Sequence, residues 1–183
     1  MSWTTKLLVI ANRTVESTEI RDAIVDRATA GPVHVTLVAP ASTGAGSVRA
    51  CRLETAQRLE RAVQRLAEAG VPVEGVVGDS DPIVAVQDAW DPRSFDEVIV
   101  ATLPTGVSRW MAADLPHRVE RLTAARVTHV VATAQPAASP ARGAGRAPEA
   151  TAASARRRGA GSLVGRPRRR RGSRVLRVRS ILH

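Results

Sequence analysis

The chain has a single cysteine, Cys51, so no internal disulfide can form and nothing points to an oxidising compartment. Long apolar runs are also missing. The first, Leu7 to Ala11, is far too short to cross a bilayer and lacks the flanks of a signal peptide, and no other segment is long enough. No membrane association is expected, and a cytoplasmic address follows by default. The spacings of familiar catalytic sites are absent too. There is no Gly-x-Ser-x-Gly elbow, no phosphate loop of the Gly-x4-Gly-Lys-Ser/Thr type and no Cys/His/carboxylate spacing that suits zinc. His34 and His129 fall in different strand patterns, His117 in a helical one and His183 at the end of the chain. No catalytic residue, metal ligand or enzymatic activity is expected.

Lysine is nearly absent, and the basic charge it leaves to arginine is unevenly spread. Through Ala134 the chain carries Lys6 and 13 Arg against 16 Asp and Glu, a net −2, while the remainder sets 13 Arg against Glu149 alone, a net +12. The overall +10 therefore belongs to the tail, not to the first 134 residues. Residues 1–134 hold all the periodic apolar segments, enough for one domain with a core. Residues 135–183 are rich in Arg, Ala, Gly and Pro with no aromatic residue and little periodicity, so a disordered tail is expected. Its Arg156 to Arg171 blocks suit nucleic acid or another acidic surface, whose neutralised charges release counterions whatever the sequence. The same composition would also arise from a shifted reading frame in a GC-rich gene. Only Arg174 to Leu182 alternates, Val175, Arg177, Arg179 and Ile181 against Leu176, Val178, Ser180 and Leu182. With no partner in view, that stretch too is expected to be disordered.

Within the first 134 residues, strand and helix patterns alternate. Lys6 to Ala11 is a continuous apolar run, as in a strand buried on both faces. A helix from Ser17 places Ile20, Ala23, Ile24 and Ala28 inward, with Glu16 and Glu19 near its positive end, and Gly31-Pro32 stops it. Val33 to Ala39 is a β-branched second strand. After the Ser42 to Ser47 loop, Leu53, Ala56, Leu59, Ala62, Val63, Leu66 and Ala69 form the longest helical stripe. Val71 to Val77 gives a third strand, and Asp79-Ser80-Asp81-Pro82 caps a short helix over Ile83 to Trp90, with Trp90 and Phe95 packing around it. Asp96 to Ala101 is the fourth strand. Asp114 is the expected N-cap of a last helix to Thr123, with Leu115, Val119 and Leu122 inward, and Val127 to Thr133 is the fifth strand. Such alternation with short connections predicts an α/β fold, a doubly wound three-layer sandwich around a parallel sheet.

This order of elements, with Leu7-Leu-Val-Ile-Ala-Asn12 opening the domain, Gly78-Asp79 after the third strand and Asp96-Glu-Val-Ile-Val100 in the fourth, resembles the universal stress protein family over Lys6 to Thr133. The resemblance implies five parallel strands in the order 3-2-1-4-5, a crevice between strands 1 and 4, and a homodimer joined along the fifth strand. Val127 to Ala132 suits that role, being apolar and free of the lysine or proline that discourages edge pairing. The family's nucleotide-binding branch carries Gly-x-x-Gly, nine residues, then Gly-Ser/Thr after the fourth strand. Here Ala101, Pro104, Asp114 and Leu115 fall at those positions, and none matches. Pro104 has no amide hydrogen to give a phosphate, and Asp114 sets a carboxylate where an anion would sit. The family's acidic residue at the end of the first strand falls on Asn12. The resemblance is to the branch without the ATP motif.

In an open α/β sheet, ligands collect at the carboxyl ends of the strands beside the switch point. Here that rim holds Asn12, Arg13 and Thr14, then Gly78 and Asp79, then Thr102, Thr105, Gly106, Ser108 and Arg109, a set suited to a small anion or polar ligand, or simply to turns and caps. Trp110 falls in the same loop, placed either to stack on a base or to cover the last helix. No cofactor is expected beyond weak nucleotide binding. The expected role is a dimeric regulatory or binding module in stress response. Three other readings stay open: a degenerate nucleotide or anion pocket using Asn12, Thr14, Thr105 and Ser108, a nucleic-acid partner for the tail, and an enzyme of the nucleotide α-hydrolase-like group.

Overall fold

The computed structural model describes residues 3–44, 46–104, 114–133 and 176–179, the last four through their backbone. The elements run β1 (Thr5–Ile10), α1 (Thr18–Ala30), β2 (Val33–Pro40), α2 (Val48–Glu68), β3 (Val73–Gly78), α3 (Pro82–Ala89), β4 (Glu97–Thr102), α4 (Leu115–Thr123), β5 (Arg126–Val131) and β6 (Leu176–Arg179). The sheet order is β5-β4-β1-β2-β3-β6, and the first five strands in sequence are all mutually parallel. The five-stranded 3-2-1-4-5 order is thus present. The chain winds outward from β1 through β2 to β3, then returns to the other side of β1 for β4 and β5. Because such crossovers keep one hand, reversing direction moves the helices to the opposite face.

The core shows that division. Leu7, Val9, Val35 and Leu37 point toward α1 and α2, meeting Ile20, Ile24, Leu59 and Val63. Leu8, Ile10, Val98 and Val100 point the other way, against Val86, Leu115 and Val119. Alternate residues of one apolar run thus serve two cores, which is why β1 reads as an unbroken hydrophobic stretch. Both clusters consist wholly of residues between Leu7 and Ala132. Trp90 and Phe95 stack with centroids 5.9 Å apart beside the second cluster, as their positions predicted.

Caps set the helix limits. Ser17 Oγ accepts from the Ile20 amide, Ser47 Oγ from Ala50, and Asp81 Oδ1 from Ile83 at 2.8 Å with Pro82 in the first turn. α2 closes with the Gly70 amide on the Ala67 carbonyl and Val71 on Leu66, Gly70 taking the left-handed conformation (φ 78°) that this closure needs. That bond draws Val71 into the helix end, so β3 begins at Val73 and not at Val71. At the start of α1, Glu19 accepts from the Thr133 amide (3.0 Å) and hydroxyl (2.8 Å), tying the helix to the chain after β5. The helix's own amide at Glu19 and then Thr133 hold this carboxyl at about 2, below its ordinary 4.5, so the tie is complete above 4.5 and fades as pH falls toward 2.

Three expectations need correction. Leu53 is 59% exposed and Ala69 is the C-terminal cap of α2, so neither belongs to the stripe; the inward face instead includes Cys51, Thr55 and Arg58. Asp114 precedes α4 but makes no side-chain cap. It adopts a left-handed conformation (φ 51°, ψ 42°) and its carboxylate turns to His117 Nδ1 at 2.9 Å. Finally, Arg174 to Leu182 does not lack a partner throughout, because Leu176–Arg179 pairs antiparallel with β3. Four residues do not make a stable strand alone, but they add readily to a sheet whose edge is already formed.

Gly78 ends β3 where α3 crosses closely, and a Cβ there would lie 2.6 Å from Ala85 Cβ and 3.3 Å from its Cα. Gly31 is fully extended (φ 169°) with nothing within 4 Å of such a Cβ. Gly78→Ala is expected to destabilise the fold by about 1–3 kcal/mol through overpacking. Gly31→Ala is expected to stay within about 0.5 kcal/mol of the parent. Urea midpoints at unchanged slope check both.

Candidate functional site

The carboxyl ends of β1, β2, β3 and β4 form the rim where a ligand is expected. The chain leaves β1 through a tight turn, with Val15 N bonded to Asn12 O and Ser17 N to Thr14 O. Thr14 is 2% exposed and its hydroxyl donates to the Ala101 carbonyl at 3.5 Å, linking the turn after β1 to β4. Asn12 Oδ1 accepts from Ser42 Oγ at 3.3 Å, so it faces the β2 loop. Thr102 is 1% exposed and shares a 2.8 Å hydrogen bond with His129 Nε2 on the β5 side. Gly78 is spent on the close approach of α3, and its carbonyl and that of Val77 accept from Arg52. Asp79 Oδ1 accepts from the Asp81 amide at 2.9 Å, so its carboxylate shapes the turn into α3. Thr105, Gly106, Ser108, Arg109 and Trp110 lie outside the described residues. Of the expected rim, then, Thr14, Gly78, Asp79 and Thr102 are committed to structure, Asn12 turns to Ser42, and Arg13 is exposed.

The group that sequence reasoning passed over is Arg58. It lies on the buried face of α2, 8% exposed, and donates from one terminal nitrogen to Ser42 Oγ at 2.6 Å. Ser42 is also bonded to Asn12 and receives the Thr55 hydroxyl at 3.3 Å, while the Ser42 amide donates to Thr55 Oγ1. Asn12, Ser42, Thr55 and Arg58 are thus one polar cluster joining the ends of β1 and β2 to α2. Glu54 approaches Arg58 only to 3.9 Å from an exposed position, and Arg58 Nε is buried with no hydrogen-bond partner. Burial pushes this guanidinium below its ordinary value, with Glu54 opposing and nearby Arg13 adding to the effect. A buried donor left unmade costs about 1–3 kcal/mol, more when charged. The cluster therefore favours an added oxygen acceptor with negative charge. The signal was present in the sequence: Arg58 falls three residues after Thr55 and four before Ala62, on the inward face of the stripe.

One helical turn further, Arg61 grips Glu16 with Nε and a terminal nitrogen, both at 2.9 Å, and Arg65 stands 3.7 Å from the same carboxylate. This pair of forked bonds raises the Arg61 guanidinium above its ordinary value and leaves it satisfied, unlike Arg58. A second buried ion pair joins Arg27 to Glu97, whose other oxygen accepts from the Thr128 hydroxyl at 3.1 Å. It ties α1, β4 and β5 at the amino ends of the strands, away from the rim. Among the described residues, no three His, Cys, Asp or Glu side chains gather as a metal ion would require. No described helix is long and apolar enough to cross a membrane.

No family model matches the chain, and no curated protein does. Among solved structures it is similar to a universal stress protein crystallised in complex with cAMP, at 19% identity and a TM-score of 0.49, over 73% of this chain and all of that one.

If Arg58 serves a ligand and not the fold, Arg58→Met keeps the aliphatic stem and removes an ill-satisfied buried charge. The urea midpoint is then expected to hold or rise, by about 1 kcal/mol or more where the pocket closes over the thioether. A loss of about 2 kcal/mol or more would make Arg58 a structural group.

Proposed function

We propose that this domain is a non-enzymatic regulatory binding module of the universal stress protein type that works without the family's ATP grip. The observation that carries this reading is the fate of the grip's positions. Ala101 is fully buried in β4 with its carbonyl facing Thr14, and Leu115 is 1% exposed in the core of α3 and α4. Asp114 is engaged with His117. Pro104 brings no amide hydrogen. A phosphate chain needs bare amides and glycine backbones at those places, and three of the four are instead committed to packing or to a side-chain pair.

A second reading, an anion-binding pocket, is favoured by Arg58 Nε. It sits toward β2 and not in the strand 1 and 4 crevice, with Asn12 and Ser42 as neighbours. The chemistry that fits is a small oxyanion or a ligand carboxylate. The two readings agree on a binding module, and differ in what it binds.

Calorimetric titration of residues 1–134 with ATP, ADP and AMP is expected to give dissociation constants no tighter than about 1 mM, roughly −4 kcal/mol. A value below about 10 μM would refute the loss of the grip. Asp114→Gly alone is expected not to restore affinity, because Ala101, Pro104 and Leu115 remain. Inorganic phosphate in the same cell tests the second reading, since its heat should vanish in Arg58→Met.

Among the described residues β5 has a strand neighbour on one side only, and Val131 is 52% exposed. These features support the proposal of a homodimer through this edge, closed by a two-fold axis. Light scattering is expected to give a dimer for residues 1–134 at micromolar concentration and a monomer for Val131→Pro, which removes a donor on the free side of β5, since the next amide, Ala132 N, bonds to Thr102 O of β4. A monomeric parent would end the proposal.

A further inference from the structure

The opposite edge of the sheet carries a feature that neither the core nor the rim accounts for. β6 lies antiparallel on β3 with Leu176 opposite Val77, Arg177 opposite Val76, Val178 opposite Gly75 and Arg179 opposite Glu74. Facing positions of an antiparallel pair share a side of the sheet. Positions 176 and 178 therefore fall on the side where Val77 and Gly75 meet α2, Gly75 so closely that a Cβ would touch Leu59 at 2.8 Å. Positions 177 and 179 fall on the side of α3. There a cavity of about 330 Å³ opens beside β3, with Glu74, Asp79, Asp88 and Asp91 among its lining residues. The alternation of the sequence thus matches the register, with apolar residues at the two positions on the α2 side and arginines at the two positions on the α3 side.

We propose that the β3 edge and the acidic cavity beside it form a docking site for an extended strand of alternating apolar and arginine residues, and that its occupant is this chain's own segment Leu176–Arg179. Backbone pairing supplies the attachment, as in peptides that extend a sheet. Charge and apolar alternation fix the register, since a slip of one residue would bring the arginines to the α2 side and the apolar residues to the carboxylates. The long stretch between β5 and β6 is a small obstacle, because closure entropy grows only with the logarithm of loop length. The segment covers an edge that would otherwise present unpaired amides and carbonyls, and the latch it forms weakens as salt screens the arginines. Any other strand with the same alternation competes for the same edge, so release of the tail exposes a binding surface.

Two measurements test this. In the full chain, hydrogen exchange of the β3 amides is expected to speed up at least tenfold in Arg177→Pro or in Val178→Pro. Adjacent amides point to opposite sides of a strand, so one of the two substitutions must remove a donor directed at β3. Unchanged exchange in both variants overturns the proposal. A fluorescent peptide of residues 173–183 is expected to bind residues 1–134, which contain both core clusters, at least tenfold more tightly than a scrambled peptide of equal composition. Asp88→Asn with Asp91→Asn should weaken it by roughly threefold to tenfold, the product of two exposed charge contacts. Equal binding of the scrambled peptide, or indifference to the double substitution, overturns the matched register or the role of the cavity.

Discussion

Strand β1 is paired on both sides, by β2 and β4, and covered on both faces, and most other features follow from that position. After its first two residues a strand so placed admits no polar side chain, and Leu7, Leu8, Val9 and Ile10 are all fully buried. Its backbone groups are consumed by two parallel ladders, and its side chains feed two cores. Chemistry is therefore excluded from the middle of the sheet and confined to the ends and edges of strands. The carboxyl ends gather loops from both halves of the winding, which is why polar groups distant in sequence, such as Asn12, Ser42 and Arg58, meet there.

Among the described residues of that rim, Thr14, Gly78, Asp79 and Thr102 have been converted to structure. Thr14 and Thr102 use their hydroxyls within the sheet layer, and Gly78 is chosen by the clearance of α3. Arg58 is the exception because its partners do not match its capacity. A guanidinium has five donors in a fixed fork, and Ser42 and the distant Glu54 use few of them. Compare Arg61, which spends two donors on Glu16 from a half-buried position. If both arginines were only structural, the more buried one would be expected to hold the better partner, since desolvation costs it more. The reverse is observed.

The sheet was legible in the sequence because parallel strands buried on both faces leave continuous apolar runs, and this chain adds glycine and proline stops at several junctions, Gly31-Pro32, Gly70 with Pro72, and Gly78 with Pro82 among them. The start of α3 was legible through its capping residues ahead of Pro82, while the caps Ser17 and Ser47 stand where the sequence only began a helix and ended a loop. Legibility failed where tertiary contacts outweigh local pattern. Leu53 has the spacing of a core residue but faces solvent, because the inward face of α2 runs through Cys51, Thr55 and Arg58. Asp114 has the chemistry of a cap, but its left-handed backbone carries its carboxylate to His117. β6 was invisible because a four-residue alternation carries no information about a partner a hundred residues away. Arg58 was legible by spacing, three residues after Thr55 and four before Ala62, but its want of partners shows only once α2 is docked.

The two ends of the sheet differ in how an edge is managed, and the difference follows from charge. β5 carries one arginine, at its first residue, and an otherwise uncharged run, as the proposed pairing with a second copy requires. β3 carries Glu74 and lies beside further carboxylates, and a second copy of an acidic edge would be repelled. What suits it is a strand of opposite sign, and this chain holds one. Backbone pairing must supply most of the attachment. Each net hydrogen bond contributes about 0.5–1.5 kcal/mol. An exposed ion pair adds only about 0.2–1 kcal/mol, and less in salt. Charge decides which strand pairs and in what register, while the ladder and the apolar positions toward α2 decide how firmly. A four-residue strand held this way lies near the lower end of local stabilities in a folded protein, in the range where a competing strand or a change of salt shifts occupancy.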